Sequence, residues 1–507
     1  MSLRGFTVYD LLQHNALASG DAPAAISAGR TVSHREFLNR VDRLAAGLTA
    51  RGVAKGDRVC ILAQNSIEYL ELYGACAKTG AVAYPINWRL SASEVQAVVA
   101  LADPQMIVVG ANHMAQVEGI DLTGLRAGAI IGEEGGSMTG AAGYVPLAEF
   151  YQSPAGSPAE VNSNDPFVIL STAAVAGVPR GAVLTHANMI LGGYQLITAL
   201  GLTARDRHLA ALPFFHVTGL GLSLCMAQVG GANVVMESFD PALAAQWIDE
   251  HEATLIAVFP PVLSMLLEAR DKVGARWQTL KHVVGLDAPD VIQRLLAETG
   301  AKFWTGFGQS ETAGLLTLTR VDEKPGSAGK PLPLARVRLV NEAGDDVPVG
   351  EPGEIAAQGP LVFAGYWRDP DATDYTFRRG WHHTGDIGRF DAENYLYYVG
   401  RKPEKDLIKS GGENVYPAEV ERVIQELPEV AAVCVIGVPH PKWGEAVKAV
   451  VELKPGQALT AEQVSAAVAD RIAAYKKPQS VNFVEKMPRQ PDGEIDRTAV
   501  KAAHGRG

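Results

Sequence analysis

Basic charge is what this sequence is short of. Across 507 residues, 45 Lys and Arg are set against 56 Asp and Glu, a formal net charge of −11. That balance argues against a general nucleic-acid or anionic-membrane surface. A local loop inside an acidic protein can still hold an anion. Cysteine is also scarce. Cys60, Cys76, Cys225 and Cys434 lie far apart and form no CxxC pair. Apolar neighbours, as in LSLCMAQVG around Cys225, mark them as small buried hydrophobes in a reducing compartment. The N-terminus has no basic segment followed by an apolar run, so no signal peptide is expected. No stretch reaches about 18 uninterrupted apolar residues, so no membrane span is expected. Together these absences point to a cytoplasmic protein. There is no low-complexity tract and no internal repeat.

What is present is a large mixed α/β pattern. At 507 residues the chain has room for two or more domains. Val8, Leu11 and Leu12 share one face of an early amphipathic helix over 7–16. Residues 57–65 read as a buried strand, 66–82 as a helix opening at a Ser cap, 82–87 as a short strand and 91–103 as a second capped helix. Strands are expected at 167–172, 208–213, 233–237, 254–259 and 282–286, with helices at 241–251 and 289–300. Such alternation predicts a largely parallel sheet with helices on its faces. From about residue 330 short β runs with turns predict a small antiparallel subdomain. After Gly400 the charged, Gly-containing run RKPEKDLIKSGGENVYP marks a hinge near 401–408. A compact α/β pattern follows: helix 417–427, strands 430–437 and 446–453, helix 460–474 and strand 480–485. It spans about 100 residues, enough for its own core. The expected division is therefore 1–401 and 402–507.

Several short stretches carry chemistry. Residues 170–188, LSTAAVAGVPRGAVLTHAN, contain the Gly177, Pro179, Arg180 and Gly181 of a tight loop around an anion. Ala173, Ala174, Val175 and Ala176 stand where such a loop would want Ser, Gly and Thr. Further along come LPFFHVTGLG at 212–221, GLDAPD at 285–290, WTGFGQSETAG at 304–314 and GWHHTGDIG at 380–388. The pair Gly400-Arg401, then GGENVYPAEVE at 411–421, PKWGEAV at 441–447 and PRQPDGEIDR at 488–497 complete the series. In this order and spacing they resemble the adenylate-forming superfamily of acyl-CoA synthetases, peptide-synthetase adenylation domains and firefly luciferase. The resemblance covers essentially the whole chain.

The resemblance implies a large N-terminal domain that binds ATP and a carboxylic acid, capped by a mobile α+β domain. A carboxylate is a poor electrophile; joining it to AMP supplies a leaving group that a thiol then displaces. Thr172, Gly177, Arg180 and Gly181 match the phosphate loop TSGTTGxPKG, with Arg180 for Lys. The hydroxyl donors of 173–176 are missing, each charge-assisted bond being worth roughly 1.5–3 kcal/mol. Ala288 falls in the adenine segment, where Asp287 departs from it. Phe307 would pack on adenine, Ser310 contact phosphate and Glu311 hold Mg²⁺. Asp386 would accept both ribose hydroxyls, with Arg401 on ribose or phosphate. His216 would lie between the acyl pocket and the adenylate. Phe214, Val217, Gly219, Leu220, Val258 and Leu315 are candidate acyl-pocket lining, with ordinary core packing as their alternative. Gly411, Gly412 and Trp443 would line the CoA tunnel, and Lys405 would be the hinge.

One further departure concerns catalysis. The family reads PxxxxGKxxR near its C-terminus, and its Lys bridges carboxylate, ribose and α-phosphate. Here Glu494 occupies that position, with Lys476, Lys477 and Arg489 as nearby cations that could substitute. A carboxylate about 4 Å from an anionic reactant is repelled by roughly 4 kcal/mol at an effective dielectric near 20. The resemblance thus predicts an AMP-forming acyl-CoA ligase using ATP, Mg²⁺ and CoA, with a medium- or long-chain fatty acid or an aromatic acid as substrate. The alternative is a member of the same fold that binds nucleotide or acyl-CoA without adenylating; a third reading keeps only the thiol-transfer half. No nucleic-acid partner is expected, and a homodimer is a family-level expectation only.

Overall fold

A computed structural model describes residues 5–120, 124–132, 144–154, 156, 159–175, 178–402, 407–490 and 493–505. Two large sheets built mainly of parallel strands form the N-terminal part. In one, the strands Lys302–Thr305, His282–Gly285, Leu255–Val258, Arg207–Ala210, Ala232–Val235 and Pro23–Ser27 lie side by side and parallel. In the other, Tyr144–Pro146, Ala127–Ile131, Met106–Gly110, Arg58–Leu62, Val82–Pro85 and Pro166–Val175 run parallel, and the antiparallel Val178–Thr185 follows. The sequence explains the parallel order. Leu255–Val258, Ala232–Val235 and Val82–Pro85 are buried at every position, so each strand is covered on both faces, as parallel strands require. Burying each Leu, Ile or Val there contributes about 1.5–3 kcal/mol.

Helices begin where their caps place them. Ser66 Oγ accepts the Tyr69 N–H, and Ser91 and Glu94 form a reciprocal capping box at Ala92–Ala102. The strands Arg336–Val340, Gly353–Gln358, His382–Phe390 and Leu396–Arg401 make the expected antiparallel subdomain. Beyond it, Val430–His440 and Gly444–Leu453 pair antiparallel, and Ser480–Val484 joins the latter in parallel. Helices Pro417–Gln425 and Ala461–Ala469 bury Val420, Val423, Ile424, Val464 and Val468 against that sheet, giving it a core of its own. Among the described residues no helix is long and apolar enough to cross a membrane.

The expected elements agree with the structure to within a few residues, with one instructive difference. The stretch around Ala173 does not form an open loop. Its backbone extends the strands Pro166–Val175 and Val178–Thr185 into a hairpin, with Thr172 opposite Arg180 and Val175 opposite Val178. Glycine at 174 would favour an irregular loop; Ala174 followed by β-branched Val175 favours a ladder.

Candidate active site

Parallel strands gather whatever follows their C-terminal ends along one edge of the sheet. Arg207–Ala210 leads to Phe214 and His216, Leu255–Val258 to Phe259 and Pro260, His282–Gly285 to Asp287 and Ala288, and Lys302–Thr305 to Phe307, Ser310 and Glu311. The Leu286 N–H bonds to the Val258 carbonyl at 3.2 Å, tying two of these loops together. The antiparallel subdomain meets the same edge through Gln309. Its amide donates to the Thr384 carbonyl at 3.1 Å and to Asp386 Oδ2.

Asp386 is the centre of that contact. It is 5% exposed, accepts the Tyr398 hydroxyl at 3.2 Å and lies 3.6 Å from Arg401 Nε. A carboxylate offers about four acceptor positions, the acceptor chemistry that a ribose diol requires. Glu354 fixes the turn behind it, accepting the Gly385 N–H at 3.1 Å. Burial pushes the Glu354 carboxyl up, but His383, Lys402 and Arg378 outweigh burial and bring it down to about 2. Phe307 is nearly buried. Its ring stacks toward Tyr398 with centroids 6.4 Å apart and planes 25° apart. Tyr398 itself is 44% exposed, so the pair presents an aromatic face beside Asp386.

Glu311 sits on a short turn, Ser310–Thr312, and is buried. Its Oε1 accepts the Tyr366 hydroxyl at 3.0 Å. Burial first, then Glu311, raises the Tyr366 phenol, which therefore stays a donor. Arg180 lies over the Tyr366 ring at 5.4 Å and pairs with Asp369 at 2.9 Å. Thr172 Oγ1 donates to the Arg180 carbonyl at 3.4 Å. Thr172, Arg180, Ser310 and Glu311 thus belong to one neighbourhood. Ala288 caps the helix Pro289–Glu298. Its N–H bonds to Asp287 Oδ1 at 2.8 Å, and burial raises the Asp287 carboxyl. Gly177 and Lys405 lie outside the described residues.

The C-terminal domain meets this edge through Gly411–Glu413. Gly411 and Gly412 have φ of 59° and 85°, a region that disfavours other residues. A Cβ on Gly411 would stand 2.9 Å from the Trp443 ring, and one on Gly412 3.3 Å from Phe259 Cβ. The next residue, Glu413, was not singled out by the sequence. Its carboxylate lies 3.4 Å from His216 Nε2, accepts Arg89 Nη1 at 2.7 Å and accepts Asn87 Nδ2 at 3.2 Å. Burial raises the Glu413 carboxyl, but His216 and then Arg89 and Asn87 bring it net below its ordinary range. His216 is the N-cap residue of the helix Val217–Val229, an end that favours a nearby anion.

The remaining expected residues are dispersed. Phe214 is fully buried, its carbonyl accepting the Tyr73 hydroxyl at 2.8 Å and its ring 5.8 Å from that of Tyr69. Val258 belongs to a second core and Leu315 packs on a third. Gly219 presses on the Pro213 carbonyl, and Val217 opens the helix. An apolar cavity lined by Leu12, Leu70, Tyr73, Leu220 and Leu224 includes the candidate Leu220 but none of these five. Glu494 is exposed, on a hairpin where the Gln490 N–H bonds to the Glu494 carbonyl at 2.7 Å. Arg497 ties that hairpin to Glu421 at 2.6 Å. The face set against the nucleotide edge is Gly411–Glu413.

Residues 12–367 match the AMP-binding enzyme family, and residues 419–494 match the AMP-binding enzyme C-terminal domain. The chain belongs to the AMP-binding enzyme family. It is 35% identical over 497 residues to a feruloyl-CoA synthase of an Amycolatopsis species, covering 97% of both chains. It is 34% identical over 467 residues to a long-chain-fatty-acid–CoA ligase of Mycobacterium tuberculosis, covering 91% of this chain and 90% of the other. Among solved structures it resembles a double mutant of o-succinylbenzoate CoA synthetase from Bacillus subtilis bound with its product analogue. There the TM-score is 0.85 at 27% identity, covering 97% of this chain and 98% of that one.

Proposed function

We propose that this family member is an AMP-forming acid–CoA ligase for a fatty or aromatic acid. The observation that carries the reading is the convergence on one sheet edge of Phe307, Glu311 and Asp386 with the docked Gly411–Glu413 segment. In the first step a carboxylate oxygen of the acid attacks the α-phosphorus of ATP, and pyrophosphate leaves. In the second the sulfur of CoA, having lost its proton, attacks the acyl carbon, and AMP leaves.

Each residue has a proposed task. Asp386 accepts the ribose hydroxyls, backed by Gln309 and Arg401. Phe307 and Tyr398 give adenine an aromatic face, beside Ala288. Thr172, Arg180 and Ser310 meet the phosphates. Among the described residues no group of three His, Cys, Asp or Glu forms a metal cage. Mg²⁺ is held by one or two carboxylates together with substrate phosphates. Glu311 would hold it, and the ion would neutralise phosphate charge. Gly411, Gly412 and Trp443 flank the path of the CoA arm, which ends beside His216. The proposed domains are 1–401 and 402–507, turning about 401–408. All four cysteines are buried, which fits a cytoplasmic location.

A second reading, nucleotide or acyl-CoA binding without adenylation, is favoured by the backbone pairing of Thr172 with Arg180 and of Val175 with Val178 and by exposed Glu494. Incubation with ATP, Mg²⁺, CoA and a panel of fatty and aromatic acids separates the two. The ligase yields AMP, pyrophosphate and acyl-CoA in equal amounts. AMP binding with no product from any acid would establish the second reading instead.

A further inference from the structure

Away from the nucleotide edge, one lysine is buried between the two domains. Lys476 is 4% exposed. Its Nζ lies 2.6 Å from Glu94 Oε1 and 2.6 Å from Glu419 Oε2. Glu94 belongs to the N-terminal domain, near the start of the helix Ala92–Ala102. Glu419 belongs to the helix Pro417–Gln425, which begins just after the Gly411–Glu413 segment. The contact is broader than one ion pair. Glu94 Oε2 accepts the Ala473 N–H at 2.8 Å and the Ser91 N–H at 2.8 Å. The Ser91 and Ser93 hydroxyls donate to the Arg471 carbonyl at 3.4 and 3.3 Å.

The chemistry of this cluster sets its role. One ammonium stands between two carboxylates out of water, and taking Glu94 away breaks a buried, hydrogen-bonded ion pair and leaves Lys476 with Glu419 alone. Lys476 stays with Glu419 when the C-terminal domain turns, because both lie on that domain. Glu94 does not. The link to Glu94 therefore exists only in the arrangement that sets Gly411, Gly412 and Glu413 on the site.

We propose that Lys476 is a positioning residue for the second half-reaction, clamping the C-terminal domain onto Glu94 in the arrangement that receives CoA. The proposal rests on the ligase reading above. It touches no reacting atom. It acts by raising the population of one domain arrangement, and so favours transfer without favouring adenylation.

The two half-reactions test it separately. Glu94→Gln keeps an acceptor for Ala473 and Ser91 but removes the charge; Lys476→Met removes the other partner. Each is expected to slow transfer from preformed acyl-adenylate to CoA by about tenfold, with acid-dependent ATP–pyrophosphate exchange within about threefold of the parent or higher. The double variant should be no slower than the worse single one, and Lys476→Arg should recover transfer. Unchanged transfer, or both half-reactions falling together at an unchanged melting temperature, overturns the proposal. If Lys476→Met does not fold, Glu94→Gln decides alone. Nitroxide labels on Gln293→Cys and Lys501→Cys, both exposed positions, give an independent readout. The native cysteines are buried and stay unlabelled. The inter-label distance should broaden in Glu94→Gln, and an unchanged distribution refutes the clamp. A parent protein with neither half-reaction refutes the ligase reading instead, and the label distances still judge the clamp.

Discussion

Asp386→Asn is the most informative single change. The asparagine keeps the shape of a side chain that is 5% exposed, so packing is preserved. It exchanges one acceptor oxygen for an amide that donates. Gln309, Tyr398 at 3.2 Å and Arg401 at 3.6 Å all present donors to that position, so one of these contacts becomes donor against donor. The charge that would receive two ribose hydroxyls is lost as well. A hydrogen bond to a charged group is worth about 1.5–3 kcal/mol. Losing the charge from two such bonds, while one neutral bond survives, removes about 3 kcal/mol of transition-state binding, or about 10²-fold in kcat/KM for ATP. Tyr398→Phe loses a single neutral donor to Asp386 and should cost less than about tenfold. Pyrophosphate release at varied ATP measures both, with melting temperatures as the check on folding. A change below about fivefold in folded Asp386→Asn would mean that Asp386 does not face the ribose.

Gly411→Ala should impair transfer while sparing adenylation. The left-handed backbone costs a non-glycine about 1–2 kcal/mol, and the new Cβ, 2.9 Å from the Trp443 ring, displaces it. Acyl-CoA yield set against pyrophosphate yield shows the split, and equal losses in both would argue against it. Glu354 gives a pH signature. Its folded carboxyl stands at about 2 against an ordinary 4.5, worth about 3 kcal/mol. Because the folded value is the lower one, this stability is complete above pH 4.5 and is lost as pH falls toward 2. Urea melts of Glu354→Gln should show a flatter acid limb; parallel curves for parent and variant would contradict the cause given. Glu494→Lys should raise acid-dependent pyrophosphate formation by about tenfold or more, by replacing repulsion with attraction toward the reactants. An unchanged rate would show that Glu494 does not limit adenylation.

The sequence was informative where chemistry and pattern are local. The run at 255–258 is apolar throughout and short, and it is a buried parallel strand. Caps at Ser66 and Ser91 lie within three residues of the groups they bond. In the stretch 170–188, Pro179 and two glycines suggest a turn, and residues 172–175 and 178–180 pair as antiparallel strands on either side of positions outside the described residues. Tyr398, Glu413 and the placement of Lys476 were not legible. Tyr398 is one aromatic in a β run, and its meaning comes from Phe307, far away in the chain. Glu413 acquires partners at Asn87, Arg89 and His216, and Lys476 one at Glu94. Such contacts across hundreds of residues are created by domain docking, which no short-range pattern encodes.

The account stands or falls on adenylation by this chain. Its most direct measurement is acid-dependent ATP–pyrophosphate exchange without CoA, across short- to long-chain fatty acids and simple aromatic acids. The account predicts exchange with a fatty or aromatic acid, abolished when Mg²⁺ is chelated. No exchange with any acid, in protein that still binds AMP by calorimetry, would contradict it.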